Sequence, residues 1–156
     1  MRNPLAYIGY GRLTGIGHGG VYEPPTVGSF SHVQLFVSTL APQYRAWFFD
    51  PVVTVDVDVT VRIGFIDALG LASADGVTGA VDRRETGGQI RVTARSETNV
   101  AELAMAAGGI GEIRLAAGTH IIPGVWQMSD GGFTMNARTT GVGIGLWCQW
   151  AESIDA

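Results

Sequence analysis

The sequence predicts an all-β fold, an antiparallel β-sandwich or jelly roll with an extended N-terminal arm and one short helix. Three observations lead there. Apolar and polar residues alternate at period two along several segments, which is the pattern of strands with one buried face. Glycine, at 23 of 156 residues, is about twice its ordinary share of roughly 7%, enough to punctuate many short strands, and no G-X-Y period makes the chain collagen-like. Hydrophobic residues reach 46% while charged ones are only 15%, against a usual charged share of about 25%, which excludes a disordered chain. The length fits one domain, divided here into an arm over 1–30 and a sandwich over 31–156.

Residues 3–29 hold Gly9, Gly11, Gly15, Gly17, Gly19, Gly20, Gly28 and Pro24-Pro25, interleaved with Tyr7, Tyr10 and Tyr22. With so little periodic patterning the segment reads as an extended arm with aromatic anchors, able to lie along a neighbouring subunit. Strand signals begin at Ser31, where Val33, Leu35 and Val37 alternate with His32, Gln34 and Ser38. After an Asp50-Pro51 turn, the odd positions Val53 to Phe65 are all apolar, facing away from Thr54, Asp56, Asp58, Thr60 and Arg62. Read as one strand, that segment spans roughly 40 Å at about 3.3 Å per residue.

Residues 70–88 are rich in Gly, Ala, Asp and Ser and read as a long loop. Beyond it Ile90, Val92 and Ala94 alternate with Arg91, Thr93 and Arg95. If the two strands pair, Asp56 and Asp58 meet Arg91 and Arg95 across the ladder. Asn99 and Glu102 sit at capping-box spacing before Val100 to Ala107, and Gly108-Gly109 ends the segment, so a short helix is expected. Strand patterning returns at Ile113–Leu115, His120–Met128, Phe133–Ala137 and Val142–Trp150, for a total of about seven to nine strands. In the last of these Val142, Ile144, Leu146, Cys148 and Trp150 share one face, and Gly141, Gly143, Gly145 and Trp147 share the other. A glycine face lets a ring or another backbone approach closely.

Charge narrows the partners. All ten basic residues are Arg, and 14 acidic residues bring the net charge to -4. Clustered Lys and Arg are what bind phosphate backbones, and the one adjacent basic pair, Arg83-Arg84, is flanked by Asp82 and Glu85, so no nucleic-acid partner is expected. Guanidinium groups suit protein interfaces through planar, weakly hydrated contacts. The single Cys148 forms no internal disulfide and, set in an apolar alternation, reads as a buried, inert thiol. Met1 to Tyr10 carry no apolar run of signal-peptide length, and no stretch approaches about 18 apolar residues, so neither export signal nor membrane anchor is expected.

Reaction chemistry is sparse. The glycine-rich runs near Gly9 and Gly15 lack a preceding strand, a following helix and the Lys-Ser/Thr pair of a phosphate loop. His18, His32 and His120 are dispersed, with no second His two residues from His120, so a cupin-like metal site is not expected and His120 reads as a strand-edge or interface residue. No G-x-S-x-G elbow is present. Asp56 and Asp58 share a face, as a calcium or paired-carboxylate site requires, but further oxygen ligands do not stand out nearby. No cofactor or metal is expected, and the chain reads as a non-enzyme. Of four tryptophans, Trp47 and Trp150 read as core or interface anchors, while Trp126 and Trp147 are open to a second role, a sugar-stacking platform.

The run Gly118 to Trp126, followed by Phe133 to Arg138 and Val142 to Trp147, resembles the closing strands of small trimeric jelly-roll proteins used as capsid decoration, or cement, proteins of tailed bacteriophages. The resemblance covers about the last 40 residues by pattern and transfers no functional residue. It implies a homo-oligomer, a trimer, made in the host cytoplasm and seated on the major capsid protein at the virion's capsid surface. The arm would reach over adjacent subunits, with Tyr7, Tyr10, Arg12 and Tyr22 as anchors. The alternatives are another tail or head-fibre component and a carbohydrate-binding sandwich using Trp126 and Trp147.

Overall fold

The computed structural model describes residues 12–37, 44–66, 77–83, 92–102, 109–128 and 131–154. Eleven strands run through them: β1 (Arg12–Glu23), β2 (Phe30–Val37), β3 (Tyr44–Val55), β4 (Val59–Ile66), β5 (Val77–Arg83), β6 (Val92–Asn99), β7 (Gly109–Leu115), β8 (Gly118–Ile121), β9 (Val125–Met128), β10 (Gly131–Ala137) and β11 (Ile144–Ile154). They form two antiparallel sheets. The first has the order β5-β1-β11-β3-β8, with β9 also pairing β3, and the second has the order β6-β2-β10-β4-β7.

The pairing is nested. β1 pairs β11, β2 pairs β10, β3 pairs β8 and β9, and β4 pairs β7. A chain folded back on itself in this way and rolled into two sheets is a jelly roll. Between β4 and β7 the chain makes an excursion that adds β5 outside β1 and β6 outside β2.

The core lies between the sheets. Val33 and Leu35 of β2, Phe48, Val53 and Val55 of β3, Val61 and Ile63 of β4, Phe133 and Met135 of β10, and Ile144 and Cys148 of β11 are all buried there. Each large side chain so placed contributes about 1.5–3 kcal/mol relative to exposure. These alternating apolar positions therefore face inward as read.

Several expectations are corrected. Residues 12–23, placed in the arm, form β1, which lies between β5 and β11. Its buried positions Gly15, Gly17 and Gly19 alternate with Ile16, His18 and Gly20. A Cβ at Gly17 would overlap the Trp150 indole, so glycine here makes room for a large ring from the adjacent strand. Residues 1–11, with Tyr7 and Tyr10, lie outside the described residues.

The long strand from Val53 is two strands in different sheets, broken at Asp56-Val57-Asp58. Carboxylates at a turn accept backbone N–H groups that the ladder leaves unpaired. Asp56 Oδ1 accepts from Gly143 N at 2.9 Å and Asp58 Oδ1 from Ala117 N at 2.9 Å. The expected ladder to Arg95 does not form, because β2 and β10 separate β4 from β6; Arg91 lies outside the described residues. Asp50-Pro51 is no turn either. β3 runs through it, with a register shift against β11 and Asp50 at φ 42, a bulge that tolerates a residue lacking an N–H. Asp50 N donates to Gly124 O, and Gly124 N donates to Asp50 Oδ1, both at 2.8 Å.

The expected loop over 70–88 contains β5. At the expected helix, Asn99 ends β6 and Val100 to Glu102 are irregular; 103–107 lie outside the described residues, and no helix occurs among the described ones. Glu102 is instead held by tertiary partners: its Oε1 accepts from Asn136 Nδ2 at 2.7 Å and pairs with Arg138 Nε at 3.2 Å.

The outward face of the second sheet is buried too. His32, Gln34, Thr134, Asn136 and Ser96 are all buried. Gln34 Nε2 donates to Thr134 Oγ1 at 2.9 Å, a bond that offsets part of the cost of removing both groups from water. Beside them Arg138 Nη1 reaches Glu112 at 2.9 Å, and Arg62 reaches the same carboxylate at 3.2 Å.

Candidate functional site

Two surfaces stand out, both built by the first sheet and its connections. The first is an open depression of about 610 Å³ on the outward face, lined by His18, Gly20 and Tyr22 of β1, Val52 and Thr54 of β3, and Gly145 and Trp147 of β11. Its form follows from register. Gly20 pairs with Trp147 and Tyr22 with Gly145, so each ring lies across from a glycine on the other strand. A Cβ at Gly20 would come within 2.9 Å of Trp147 Cδ1, and one at Gly145 within 3.3 Å of Tyr22 Cδ2. The two glycines are therefore the floor that lets the rings lie low against the sheet.

Tyr22 is 51% exposed and Trp147 38%. The His18 ring tilts towards Trp147, with centroids 6.1 Å apart. Polar atoms ring the depression. Thr54 Oγ1 and Thr119 Oγ1 are 3.1 Å apart, and the Tyr22 hydroxyl and Asp56 Oδ2 both lie over Gly143. Among the residues lining the depression itself none carries a carboxylate, Lys or Arg, so what it presents is ring faces, the His18 imidazole and the Thr54 and Tyr22 hydroxyls.

The second surface is the end of the sandwich at which β1 hands over to β2, β3 to β4, β7 to β8 and β10 to β11. Hydrogen bonds join these connections: Asp56 N to Gly143 O, Gly141 N to Ser29 O and Ala117 N to Asp58 Oδ1. The buried Ser31 Oγ adds a bond of 2.6 Å to Val142 O. Ser29 N closes a tight turn onto Thr26 O at 3.1 Å with Gly28 at φ 77, the left-handed third position that a type II turn assigns to glycine. This turn pushes Val27 outward to 97% exposure; Val57, at the tip of the β3–β4 connection, is 45% exposed.

Of the residues singled out from sequence, Tyr22 and Trp147 come together in the depression, and Tyr7 and Tyr10 lie outside the described residues. Arg12 opens β1 opposite Ile154, at the other end of the strand from Tyr22. Trp126 does not join Trp147. It sits half-buried on β9, its ring 5.8 Å from Phe133 and against Gly124, a packing role. The expected pairing of Trp126 with Trp147 on one surface does not form. His120 lies on the edge strand β8, with Nε2 2.7 Å from Ala116 O.

Sequence reading missed His18, Val52 and Thr54, because cross-strand register is what gathers them. Cys148 is buried, its Sγ 3.4 Å from Phe49 O, and desolvation pushes its pKa up to about 12. Burial likewise holds the His32 pKa below its ordinary value, opposed by Glu97 and Glu102.

No family model matches the chain, and no curated protein matches it. Among solved structures the chain is similar to one of infectious bursal disease virus, Gx strain, at 16% identity and a TM-score of 0.17, covering 93% of this chain and 41% of that one. It is also similar to the Eiger TNF from S. frugiperda at 11% identity and a TM-score of 0.15, covering 93% of this chain and 96% of that one. Likeness at these scores carries no argument, and the jelly roll rests on the strand pairing alone.

Proposed function

We propose that this chain is a structural, non-enzymatic virion protein, a capsid decoration or cement protein that acts as a homotrimer on the capsid surface. The observation that carries the reading is the loop end of the sandwich. Loops that contact partners are effective when a scaffold holds them in place, and here four connections are tied together by backbone and Asp hydrogen bonds. Projecting from them, Val27 and Val57 offer apolar tips beside Pro24 and Pro25, suited to burial against another protein more than to catalysis.

Two small tips bind weakly alone. A trimer presenting three such ends to a symmetric lattice converts the second and third contacts into intramolecular events at high effective concentration, so individually weak contacts hold together. The net charge of -4 and the Lys-free composition fit a protein partner, the major capsid protein, and give no grip on nucleic acid.

Co-sedimentation with capsids stripped of decoration tests this. The parent should pellet with capsids, and the double variant Val27→Asp/Val57→Asp should stay in the supernatant while melting at the parental temperature. A parent that never pellets, or a double variant that pellets as well as the parent, overturns the reading.

A further inference from the structure

The depression on the first sheet adjoins the loop end at Asp56, which also holds Gly143 N, but its lining lies on the strands and its chemistry differs. It offers two exposed ring faces, Tyr22 and Trp147, over a floor of Gly20 and Gly145. Aromatic faces carry negative quadrupole charge and attract the polarised C–H groups on the flat side of a sugar ring. Around those faces sit the Thr54, Thr119 and Tyr22 hydroxyls, each able to donate and to accept a hydrogen bond, with the Asp56 carboxylate, an acceptor, at the rim. A ligand apolar on its face and hydroxylated around its edge matches that layout. The volume of about 610 Å³ falls within the usual range for small-molecule sites, about 300–1,000 Å³. The lining itself carries no carboxylate, Lys or Arg, which favours a neutral ligand.

We propose that this depression is a saccharide-binding site in which a neutral pyranose stacks on the exposed faces of Tyr22 and Trp147 and its hydroxyls bond to Thr54 and Asp56. The rings do not have to move to admit it. Tyr22 rests on Gly143 and Gly145, and Trp147 rests on Gly20, so both are held in place before binding, which lowers the ordering cost of association. The site is independent of the assembly reading: either can fail while the other stands.

The test is a printed array of neutral mono- to tetrasaccharides, followed by calorimetric titration of the parent and variants with whichever glycan is retained. Trp147→Ala and Tyr22→Ala should each weaken binding by at least about tenfold, the loss expected when a largely buried ring contact is removed. Trp147→Phe, which keeps a flat face, should lose less, and Val100→Thr, just past the end of β6, should bind as the parent does. Thermal melts establish that each variant is folded, and Thr54→Val, nearly the same shape, supplies a second probe that should also weaken binding. Retention of no glycan overturns the proposal, as does a titration that Trp147→Ala, Tyr22→Ala and Thr54→Val all leave unchanged. Loss of capsid binding in Trp147→Ala with no glycan retained would make the depression a protein contact, which also overturns it.

Discussion

Replacing Gly17 by Ala separates a core strand from a dangling arm. Gly17 is buried in β1 opposite Trp150 of β11, and the added methyl would overlap the indole. The ring has little room to retreat, because Phe48 stands behind it with centroids 6.2 Å apart. Overpacking of this kind costs about 1–3 kcal/mol, and the rigidity of both rings puts Gly17→Ala near the top of that range. Stiffening of the unfolded chain returns about 0.4–1 kcal/mol, leaving a net loss of about 2 kcal/mol. For a domain of this size that corresponds to roughly 4–8 °C in melting temperature. Urea denaturation and a thermal melt of parent and variant read both numbers. A variant within about 0.5 kcal/mol of the parent, as a glycine in a solvated arm would give, refutes the placement of Gly17 against Trp150.

Two further outcomes follow from buried groups. Burial holds the His32 pKa below its ordinary 6.5, so the unfolded chain binds more protons there than the folded one. Stability should therefore be full above the unfolded value and fall as pH drops below about 6.5. Denaturation midpoints at pH 7.5, 6.5 and 5.5 should show that slope, and His32→Gln should flatten it; an identical slope in the variant would contradict the burial. Cys148, buried with its pKa raised to about 12, should resist a thiol-reactive dye in the folded protein at pH 8 and react fully in urea. Fast labelling of the native protein would place the thiol elsewhere than the core.

The all-β class was legible because period-two alternation survives wherever only one face of a strand is buried, as in Val33 and Leu35 or Ile144, Leu146 and Cys148. Local pattern stops at the strand ends. Val53 to Phe65 alternates without a break, yet the chain changes sheets at Asp56–Asp58, and only the bonds to Gly143 and Ala117 record why. β1 was hidden for a different reason. Its buried face is mostly glycine, so it has no hydrophobic signal of its own, and the missing volume is supplied by Trp150 from a strand more than 100 residues later.

Asn99 and Glu102 matched a helix cap by spacing, but Glu102 bonds to Asn136 and Arg138, a tertiary demand that overrides local propensity. Tyr22 was legible as an aromatic anchor of the arm and Trp147 as an aromatic open to a ligand or interface role. Their meeting over Gly20 and Gly145, and the exclusion of Trp126, are consequences of register, which one sequence does not display.

Closed self-association is the property on which decoration of a lattice depends, and size-exclusion chromatography with light scattering measures it directly. A stable species at three times the 16.5 kDa chain mass, unchanged on dilution through the micromolar range, is the expected result. A single species at 16.5 kDa at every concentration would contradict it.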